Sequence, residues 1–380
     1  INYGQHYIDQ KDIQSVVKVL KSNFLTQGKS VKNFESNLNS YFGSKYSCVV
    51  SNGTAALYLA AHALNWKKGD IIFCSPITFV ASSNCILSQK ATPYFIDIDD
   101  TSYNINPYLI EKKLKLNSVK NKAKAIVATD FAGNPCDWEM LKYLSKKYSL
   151  KLINDNCHAM GAKYQGSKKY AVKFADIVTQ SYHPVKNFTT GEGGSILTNS
   201  LPIYNKIQTL RSHGINRNKK EIKLWGYRMI DFGYNYRLTD IQAALGISQL
   251  KKLDKFVEHR NKLAKVYDDY FKHNIYCKIP EVNKNIYQSR HIYPLLINFK
   301  KLKKTREDLF RLFNKNNIKL QVHYIPIYQQ PYYKNILVKK FNCPTAENFY
   351  SKEVTLPLYF NLKKKDQLKC INVLKEFFKK

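Results

Sequence analysis

"SCVVSNGTAALYLAAHAL", residues 47–64, is the clearest indication of the fold in this chain. Residues 47–52 form a short apolar run that is typical of a buried β-strand, and residues 53–64 are rich in Ala and Leu, as many helices are. A strand that leads directly into a helix is the first half of a βαβ unit. The segment therefore predicts a mainly parallel sheet that is covered by helices on both faces.

The same alternation of strands and helices extends to residue 199. Helices are predicted at residues 78–90, 107–116 and 138–148. The apolar strand runs around them are residues 70–76, 92–99, 123–130, 150–155, 175–182 and 193–199. Strands that alternate with helices at this spacing favour an α/β fold.

The pattern changes after residue 238. A single amphipathic helix is predicted over residues 239–271, where it would bridge two domains. The remaining predicted elements are a strand at 292–299, a helix at 305–316, a strand at 318–324 and a final Lys-rich helix. We therefore predict a large domain over residues 1–245 and a smaller α/β domain over residues 246–380.

The composition favours a globular protein with a strong positive charge. The chain has 380 residues, of which 44% are hydrophobic, and its net charge is +33. Such a charge attracts nucleic acids, membranes or phosphorylated metabolites. The basic residues are spread along the chain and follow no nucleic-acid-binding motif, so we expect no nucleic-acid partner. A basic nucleic-acid-binding protein is kept as the alternative class.

Two further classes are not expected. No two of the eight cysteines form a CxxC pair, so neither a metal site nor a disulfide framework is predicted. No apolar run reaches the roughly 20 residues that a membrane span needs, and no signal-peptide pattern opens the chain. We expect a cytoplasmic protein without a membrane partner.

Polar residues that follow the predicted strands indicate a ligand site, because ligands collect at the carboxyl ends of parallel strands. Gly53 and Thr54 open a helix, where free amides suit a phosphate, although an ordinary Asn-Gly turn would look the same. Asp155 ends a buried strand, and either a protonated ring nitrogen or a helix cap would serve as its partner. Phe79 could cover a flat ligand or belong to the core.

Lys186 lies in "SYHPVKNFTTGEGG" (181–194), among apolar and glycine neighbours. Burial lowers the pKa of a lysine and makes its amine able to condense with a carbonyl, whereas a solvated loop lysine would have no such role. The combination of a phosphate turn, a flat cover, a strand-end Asp and a loop Lys suits pyridoxal 5′-phosphate. In that interpretation Asp155 keeps the pyridine nitrogen of the cofactor protonated.

Six segments, in this order, resemble the DegT/DnrJ/StrS family of sugar-nucleotide aminotransferases. They are residues 51–61, 75–84, 154–162, 181–194, 233–246 and 321–333, and the similarity extends from Tyr3 to the last helix. The resemblance implies the PLP-dependent fold type I, which is the aspartate-aminotransferase-like architecture. It also implies a homodimer whose active sites are shared across the interface.

The resemblance implies a role for each matching residue. Lys186 would be the catalytic residue that links to the cofactor and moves the proton. The implied cofactor-binding residues are Gly53, Thr54 and Ser181 at the phosphate, Phe79 on the ring, Asp155 at the ring nitrogen, His158 near the 3′-oxygen, and Asn235 at the partner subunit's phosphate. The implied substrate-binding residues are Tyr3, Asn23, Phe24, Leu25, Thr26, Gln321, Val322, His323 and Tyr324.

The N-terminal segment 3–35 carries a closer similarity to family members that act on C4 of a UDP-linked 2-acetamido-2,6-dideoxy-hexos-4-ulose, with L-glutamate as the amino donor. The basic residues would then help to bind the diphosphate. One alternative is a 3- or 4-aminotransferase for another GDP-, dTDP- or UDP-keto-sugar. Another is a dehydratase on the same scaffold, which Lys186 disfavours because those enzymes carry a histidine there.

Overall fold

The structure is a computed structural model that describes residues 1–216, 225–281, 283–337 and 340–379. Its strands, in chain order, are β1 Tyr46–Val50, β2 Ile71–Cys74, β3 Thr92–Phe95, β4 Ala123–Thr129, β5 Lys151–Asp155, β6 Lys163–Tyr164, β7 Ile177–Ser181, β8 Gly194–Thr198, β9 Ile215–Asn216, β10 Arg228–Met229, β11 Cys277–Lys278, β12 Ile286–Tyr287, β13 Tyr293–Ile297 and β14 Glu353–Leu356.

The helices surround these strands. They are α1 Gln10–Leu20, α2 Lys29–Phe42, α3 Gly53–Ala63, α4 Ala81–Ser88, α5 Pro107–Leu114, α6 Asn117–Lys120, α7 Trp138–Tyr148, α8 Tyr170–Phe174, α9 Leu201–Leu210, α10 Asp240–Leu250, α11 Leu253–Phe271, α12 Phe299–Leu302, α13 Arg306–Lys315, α14 Pro331–Ile336, α15 Pro344–Lys352 and α16 Lys364–Phe378. Two 3₁₀ turns lie at Phe131–Gly133 and Ile327–Gln329.

The central sheet has seven strands in the order β1-β8-β7-β5-β4-β2-β3. β7, β5, β4, β2 and β3 run parallel to one another, and β8 pairs antiparallel with both β1 and β7. β1 therefore points in the same direction as the parallel strands. This mixed, mostly parallel sheet confirms the α/β prediction and is consistent with fold type I.

Both faces of the sheet are buried, as near-continuous apolar strands require. Side chains alternate between the faces, so Val49 packs into one core while Cys48 and Val50 pack into the other. α3 contacts β7 and β8, and most of its residues are buried. Its small Ala side chains allow the helix to lie close to the sheet, which brings the turn before it to the sheet edge.

The prediction of a single helix over residues 239–271 is wrong in one respect, because the structure divides this segment into α10 and α11. Lys252 lies at the break, where its amine forms ion pairs with Asp9 at 2.9 Å and Asp12 at 2.6 Å. The break directs α11 into two cores: Leu253 packs with the large sheet, and Tyr267 packs with the second, three-stranded sheet. A domain division after residue 245 stays a prediction.

The second sheet is antiparallel, in the order β11-β13-β14. The strand predicted over residues 318–324 is wrong, because only Gln321 makes a β-bridge, to Thr355. The reason is a tertiary contact: the backbone N–H of His323 donates to the buried carboxyl of Glu353 at 2.8 Å instead of to a neighbouring strand. Among the described residues, no helix combines the length and apolar character that crossing a bilayer demands.

Asp240 ties α10 to the start of α2. Its buried carboxylate accepts backbone N–H groups from Gly28 at 2.7 Å, Ser30 at 2.8 Å and Val31 at 3.3 Å. Replacing Asp240 with Ala leaves these amides unpaired, and we expect a loss of about 3 kcal/mol in unfolding free energy by urea denaturation. The control is Asp137→Ala, which removes an exposed cap of α7 and should cost about 1 kcal/mol. Equal losses would contradict the account.

Candidate active site

The carboxyl ends of β1, β2, β5 and β7 meet at one edge of the central sheet, because these strands share a direction. The turns that follow them line a cavity of about 640 Å³. This volume lies within the range of about 300–1,000 Å³ that is usual for small-molecule sites. Residues from the second part of the chain, around His323, close the opposite wall.

The cavity gathers most of the residues that the sequence analysis singled out. Those that line it are Tyr3, Gly53, Thr54, Phe79, Asp155, His158, Ser181, Lys186, Gln321, Val322, His323 and Tyr324. These residues come from six separated segments of the chain, so their convergence is a property of the fold. Their individual roles stay predictions.

Five predicted residues lie elsewhere in the described chain. Asn23, Phe24, Leu25 and Thr26 are exposed residues of the loop between α1 and α2, where Thr26 bridges to Thr239. Asn235 is exposed and bridges to Ser212. None of the five lines the cavity. Contact between these five residues and a ligand therefore requires either a ligand that extends to the rim of the cavity or a ligand bound in a neighbouring subunit.

Gly53 and Ser181 form a narrow cradle at the start of α3. Asn52 caps this helix by accepting the N–H of Ala55 at 2.8 Å. The amides of Gly53 and Thr54 lack partners within the helix by the geometry of a helix start. A Cβ atom on Gly53 would lie 2.7 Å from the Cβ of Ser181, so only glycine leaves this space open. The cradle suits a phosphate group.

Replacing Gly53 with Ala should therefore weaken cofactor binding. The added methyl group fills the cradle, and we expect the dissociation constant of pyridoxal 5′-phosphate to rise roughly 10- to 100-fold in a spectroscopic titration. Gly4→Ala is the control, because its added Cβ would meet Val185 at an ordinary 3.4 Å. Unchanged binding in a folded Gly53→Ala variant would show that this turn does not hold the phosphate.

Asp155 ends β5 as a buried carboxylate. Its Oδ2 accepts the hydroxyl of Ser82 at 2.6 Å and that of Thr129 at 3.5 Å. Its Oδ1 accepts the N–H of Cys157 at 3.3 Å. These donors hold the carboxylate in the cavity wall, where it can pair with a protonated ring nitrogen.

His158 is a buried, neutral imidazole. Its Nδ1 accepts the N–H of Ala132 at 3.4 Å, so its Nε2 carries the proton and donates to the hydroxyl of Tyr324 at 3.1 Å. Burial, followed by the charge of Lys186 and then that of His323, holds the pKa of His158 well below its usual range. The ring is therefore a hydrogen-bonding surface, not a cation.

Lys186 lies half-buried on the same wall. Burial lowers the pKa of its amine, while Cys157 and Asp155 oppose that shift. Burial also raises the pKa of Cys157 well above its usual range, so at neutral pH the opposing charge comes from Asp155. A lysine with a lowered pKa is more often unprotonated and therefore nucleophilic.

Sequence reasoning missed the residues that hold Lys186 in place. Arg260 is buried, and its guanidinium donates to the carbonyl of Lys186 at 3.2 Å and to that of Leu358 at 3.1 Å. His291 donates from Nδ1 to the carbonyl of Val185 at 3.2 Å. Arg260 falls within the predicted amphipathic helix, and His291 directly precedes a predicted strand. Neither position has a local sequence signal of its role, because only the fold brings the two residues to the Lys186 loop.

The residues present fit pyridoxal 5′-phosphate. A cradle that a Cβ would fill lies at one end, a buried carboxylate lies on the wall, and an amine with a lowered pKa lines the same cavity. The volume of the cavity leaves room for a sugar as well. The arrangement can hold a cofactor aldehyde near Lys186 and a second ligand beside His323.

Comparison with known proteins gives the same indication. The family described as "DegT/DnrJ/EryC1/StrS aminotransferase family" matches residues 6–375. The chain is 40% identical over 368 residues to the UDP-4-amino-4,6-dideoxy-N-acetyl-beta-L-altrosamine transaminase of Campylobacter jejuni subsp. jejuni serotype O:23/36, with coverage of 96% of this chain and 94% of that protein.

Solved structures are similar along the whole chain. PseC of Helicobacter pylori, described as an aminotransferase involved in the biosynthesis of pseudoaminic acid, superposes with a TM-score of 0.90 at 33% identity, covering 99% of this chain and 98% of that chain. The putative sugar aminotransferase Spr1654 from Streptococcus pneumoniae, in its PLP form, gives a TM-score of 0.90 at 27% identity, covering 100% and 98%.

Proposed function

The chain belongs to the DegT/DnrJ/EryC1/StrS aminotransferase family, and on that premise we propose that it aminates C4 of a UDP-linked 2-acetamido-2,6-dideoxy-hexos-4-ulose. The product would be UDP-4-amino-4,6-dideoxy-N-acetyl-β-L-altrosamine, an intermediate of pseudaminic acid biosynthesis. L-Glutamate would supply the amino group and leave as 2-oxoglutarate. The observation that carries the proposal is the position of Lys186 beside Asp155 in one cavity, together with the similarity to named transaminases of this specificity.

The enzyme is a sugar-nucleotide aminotransferase that depends on pyridoxal 5′-phosphate. When bound, this cofactor supplies an electron-withdrawing ring and carries the amino group between the two substrates. The cradle at Gly53 and Ser181 would bind the phosphate, and Asp155 would keep the ring nitrogen protonated. Phe79, which is 56% exposed at the cavity mouth, would cover the ring.

Lys186 would perform the proton transfers. Its amine would accept the proton from the α-carbon of glutamate in the first half-reaction and donate a proton to C4 of the sugar in the second. A base of lowered pKa suits this task, because a proton acceptor works best when its pKa lies near the operating pH. Arg260 would keep the loop that carries Lys186 in position.

The nucleotide would lie outside the cavity. Lys186 is the one Lys or Arg that lines it in the part of the chain that the structure describes. A diphosphate needs cationic partners, so these must come from the rim or from a second subunit. This requirement supports the predicted dimer with shared sites.

A panel of keto-sugars tests the substrate. The purified holoenzyme is assayed for 2-oxoglutarate release with UDP-, GDP- and dTDP-linked 4-keto and 3-keto sugars. We expect the highest kcat/KM for the UDP-linked 2-acetamido 4-keto sugar. A higher kcat/KM for a GDP- or dTDP-sugar, or for a 3-keto sugar, would assign the chain to one of the sibling specificities.

An exposed apolar surface indicates where a second subunit would bind. Six aromatic and aliphatic side chains within ten residues of Asn235 along the chain are 54% to 80% exposed: Trp225, Tyr227, Met229, Ile230, Phe232 and Tyr234. Large apolar side chains that are exposed in such number are typical of protein interfaces. We propose that a homodimer buries these side chains and that Asn235 then reaches the partner's phosphate cradle.

Mixed dimers test whether active sites are shared. Lys186→Ala lacks the catalytic amine, and Asn235→Ala lacks the residue expected to reach across. When the two variants are unfolded, mixed and refolded together, each mixed dimer regains one complete site, so about a quarter of wild-type activity should return. The control mixes Lys186→Ala with Asp155→Ala. Both residues serve the cavity of their own subunit, so each mixed dimer has one defect in each site and no activity should return. Equal recovery in both mixtures would contradict the shared site.

A further inference from the structure

His323, which lines the cavity, is connected to a buried carboxyl group through a hydroxyl. Its Nδ1 lies 2.8 Å from Thr355 Oγ1, and the same oxygen lies 2.6 Å from Glu353 Oε1. The other carboxyl oxygen, Glu353 Oε2, accepts the backbone N–H of His323 at 2.8 Å. Carboxyl, hydroxyl and imidazole thus form one hydrogen-bonded chain that ends in the active site.

The Glu353 carboxyl group lies in surroundings that are unfavourable for a charge. Glu353 opens β14 and is completely buried, as is Thr355. Burying an ionisable side chain is costly unless its partners compensate. One oxygen of the Glu353 carboxyl group hydrogen-bonds to the Thr355 hydroxyl, and the other accepts the backbone N–H of His323. Both oxygens therefore help to position the His323 imidazole.

We propose that Glu353 is a positioning residue which, through Thr355, sets whether His323 Nε2 presents a hydrogen-bond donor or an acceptor to the sugar. The inference deepens the proposed function, and it rests on that function only for the ligand that Nε2 contacts. For each ionisation state of Glu353, the hydrogen bonds of the chain fix which atoms of Thr355 and His323 carry the protons.

The two states of Glu353 impose opposite tautomers. When the carboxylate is ionised, it accepts the Thr355 hydroxyl, whose oxygen then accepts Nδ1–H, and Nε2 carries a lone pair. When Glu353 is protonated on Oε1, it donates to Thr355, whose hydroxyl donates to an unprotonated Nδ1, and the ring proton resides on Nε2. The tautomer of a histidine is set in this way by the partner of its other nitrogen.

The switch falls in an accessible pH range. Burial raises the pKa of Glu353 to about 8, against the hydrogen bonds from Thr355 and His323 and the charge of Arg306, all of which lower it. Burial, followed by the charge of Lys186, lowers the pKa of His323 to about 3. The ring is therefore neutral at any working pH, and only its tautomer changes. Nε2 is a donor at neutral pH, which suits a sugar oxygen.

Several charged or titratable groups face this hydrogen-bonded chain, and the buried imidazoles of His158 and His291 interact electrostatically with His323. Arg306 of α13 and the hydroxyl of Tyr324 interact with Glu353 electrostatically. The ring of Tyr3 lies 5.8 Å from that of His323, and the Lys186 charge acts on the same imidazole. The hydrogen bonds described for the Glu353 carboxyl, the Thr355 hydroxyl and the His323 Nδ1 include neither Arg306 nor Lys186, so Glu353 is the group whose titration reverses them.

Nuclear magnetic resonance reads the tautomer directly. Holoenzyme labelled with ¹⁵N-histidine is compared at pH 7 and pH 9.5, and the His323 signals are identified by their absence from His323→Asn. We expect Nε2–H at the lower pH and Nδ1–H at the higher pH in the wild type, and one tautomer at both values in Glu353→Gln. A wild-type ring with the same tautomer at both pH values would overturn the proposal. Sugar is absent, so this result does not depend on the proposed substrate.

Half-reaction kinetics test the consequence with a matched pair. Thr355→Val removes the hydroxyl that links Glu353 to His323 while keeping nearly the same side-chain shape, and Thr355→Ser keeps the hydroxyl. This pair also tests the proposal if the Glu353→Gln variant does not fold. We expect the reaction with sugar to slow about 10- to 100-fold in the Val variant and to recover with Ser, while amino transfer from glutamate stays near the wild-type rate. Equal losses in both half-reactions would indicate a merely structural role and overturn the proposal. A wild type that switches tautomer but does not turn over the sugar would instead refute the substrate assignment.

Discussion

Lys186→Ala is expected to abolish turnover. The variant loses the amine that links to the cofactor and the base that moves the proton, so kcat should fall by a factor on the order of 10⁴ or more. Borohydride reduction of the wild-type holoenzyme should fix the cofactor on the peptide that contains Lys186, and mass spectrometry should find no such adduct in the variant. The loss should appear in both half-reactions, since the same amine serves both.

Lys186→Arg separates the amine from the charge. Arginine keeps the positive charge beside Asp155 but does not condense with an aldehyde at ordinary pH, because its guanidinium stays protonated. We expect the same loss as with Ala, and cofactor binding through the phosphate cradle should persist in both variants. Turnover above about a hundredth of the wild-type rate in the Arg variant would show that another residue moves the proton.

Asp155→Asn is expected to have the second-largest effect. The amide has nearly the same shape and can still accept the hydroxyl of Ser82, which lies 2.6 Å from Oδ2. It lacks the negative charge that keeps the ring nitrogen of the cofactor protonated, and the ring then withdraws electrons poorly. We expect kcat to fall about 10²- to 10³-fold, measured in the glutamate half-reaction, with the cofactor still bound.

Ser82→Ala is the control for this change. It removes one hydrogen bond to the same carboxylate and leaves the charge in place, so the loss should be about tenfold. Equal effects of the two substitutions would mean that the orientation of Asp155 matters and its charge does not. That outcome would contradict the pairing with a protonated nitrogen.

The α/β architecture could be predicted from sequence because its signal is local. Most of the parallel strands are short apolar runs that are followed by a helix, as β2 and α4 illustrate. The rule that ligands collect at strand carboxyl ends then placed Gly53, Asp155 and Lys186 at one edge, and the structure brings them into one cavity. The residue roles themselves depend on the family resemblance and stay predictions.

Longer-range features were beyond sequence reasoning. Residues 318–324 have the composition of a strand, yet a buried carboxyl from Glu353, 30 residues away along the chain, takes the N–H of His323. The helix over 239–271 is broken where Lys252 meets two acids of the N-terminal segment. Arg260 and His291 act on the Lys186 loop from distant elements. In each case a tertiary partner, not the local pattern, decides the outcome.

Transfer of an isotopic label tests the central claim most directly. The holoenzyme is incubated with the UDP-linked 2-acetamido-2,6-dideoxy-hexos-4-ulose and L-[¹⁵N]glutamate, and the product is examined by nuclear magnetic resonance. The account predicts a sugar that carries ¹⁵N bonded to C4, with an equal amount of 2-oxoglutarate formed. Label at another carbon, or 2-oxoglutarate release without a labelled sugar, would contradict it.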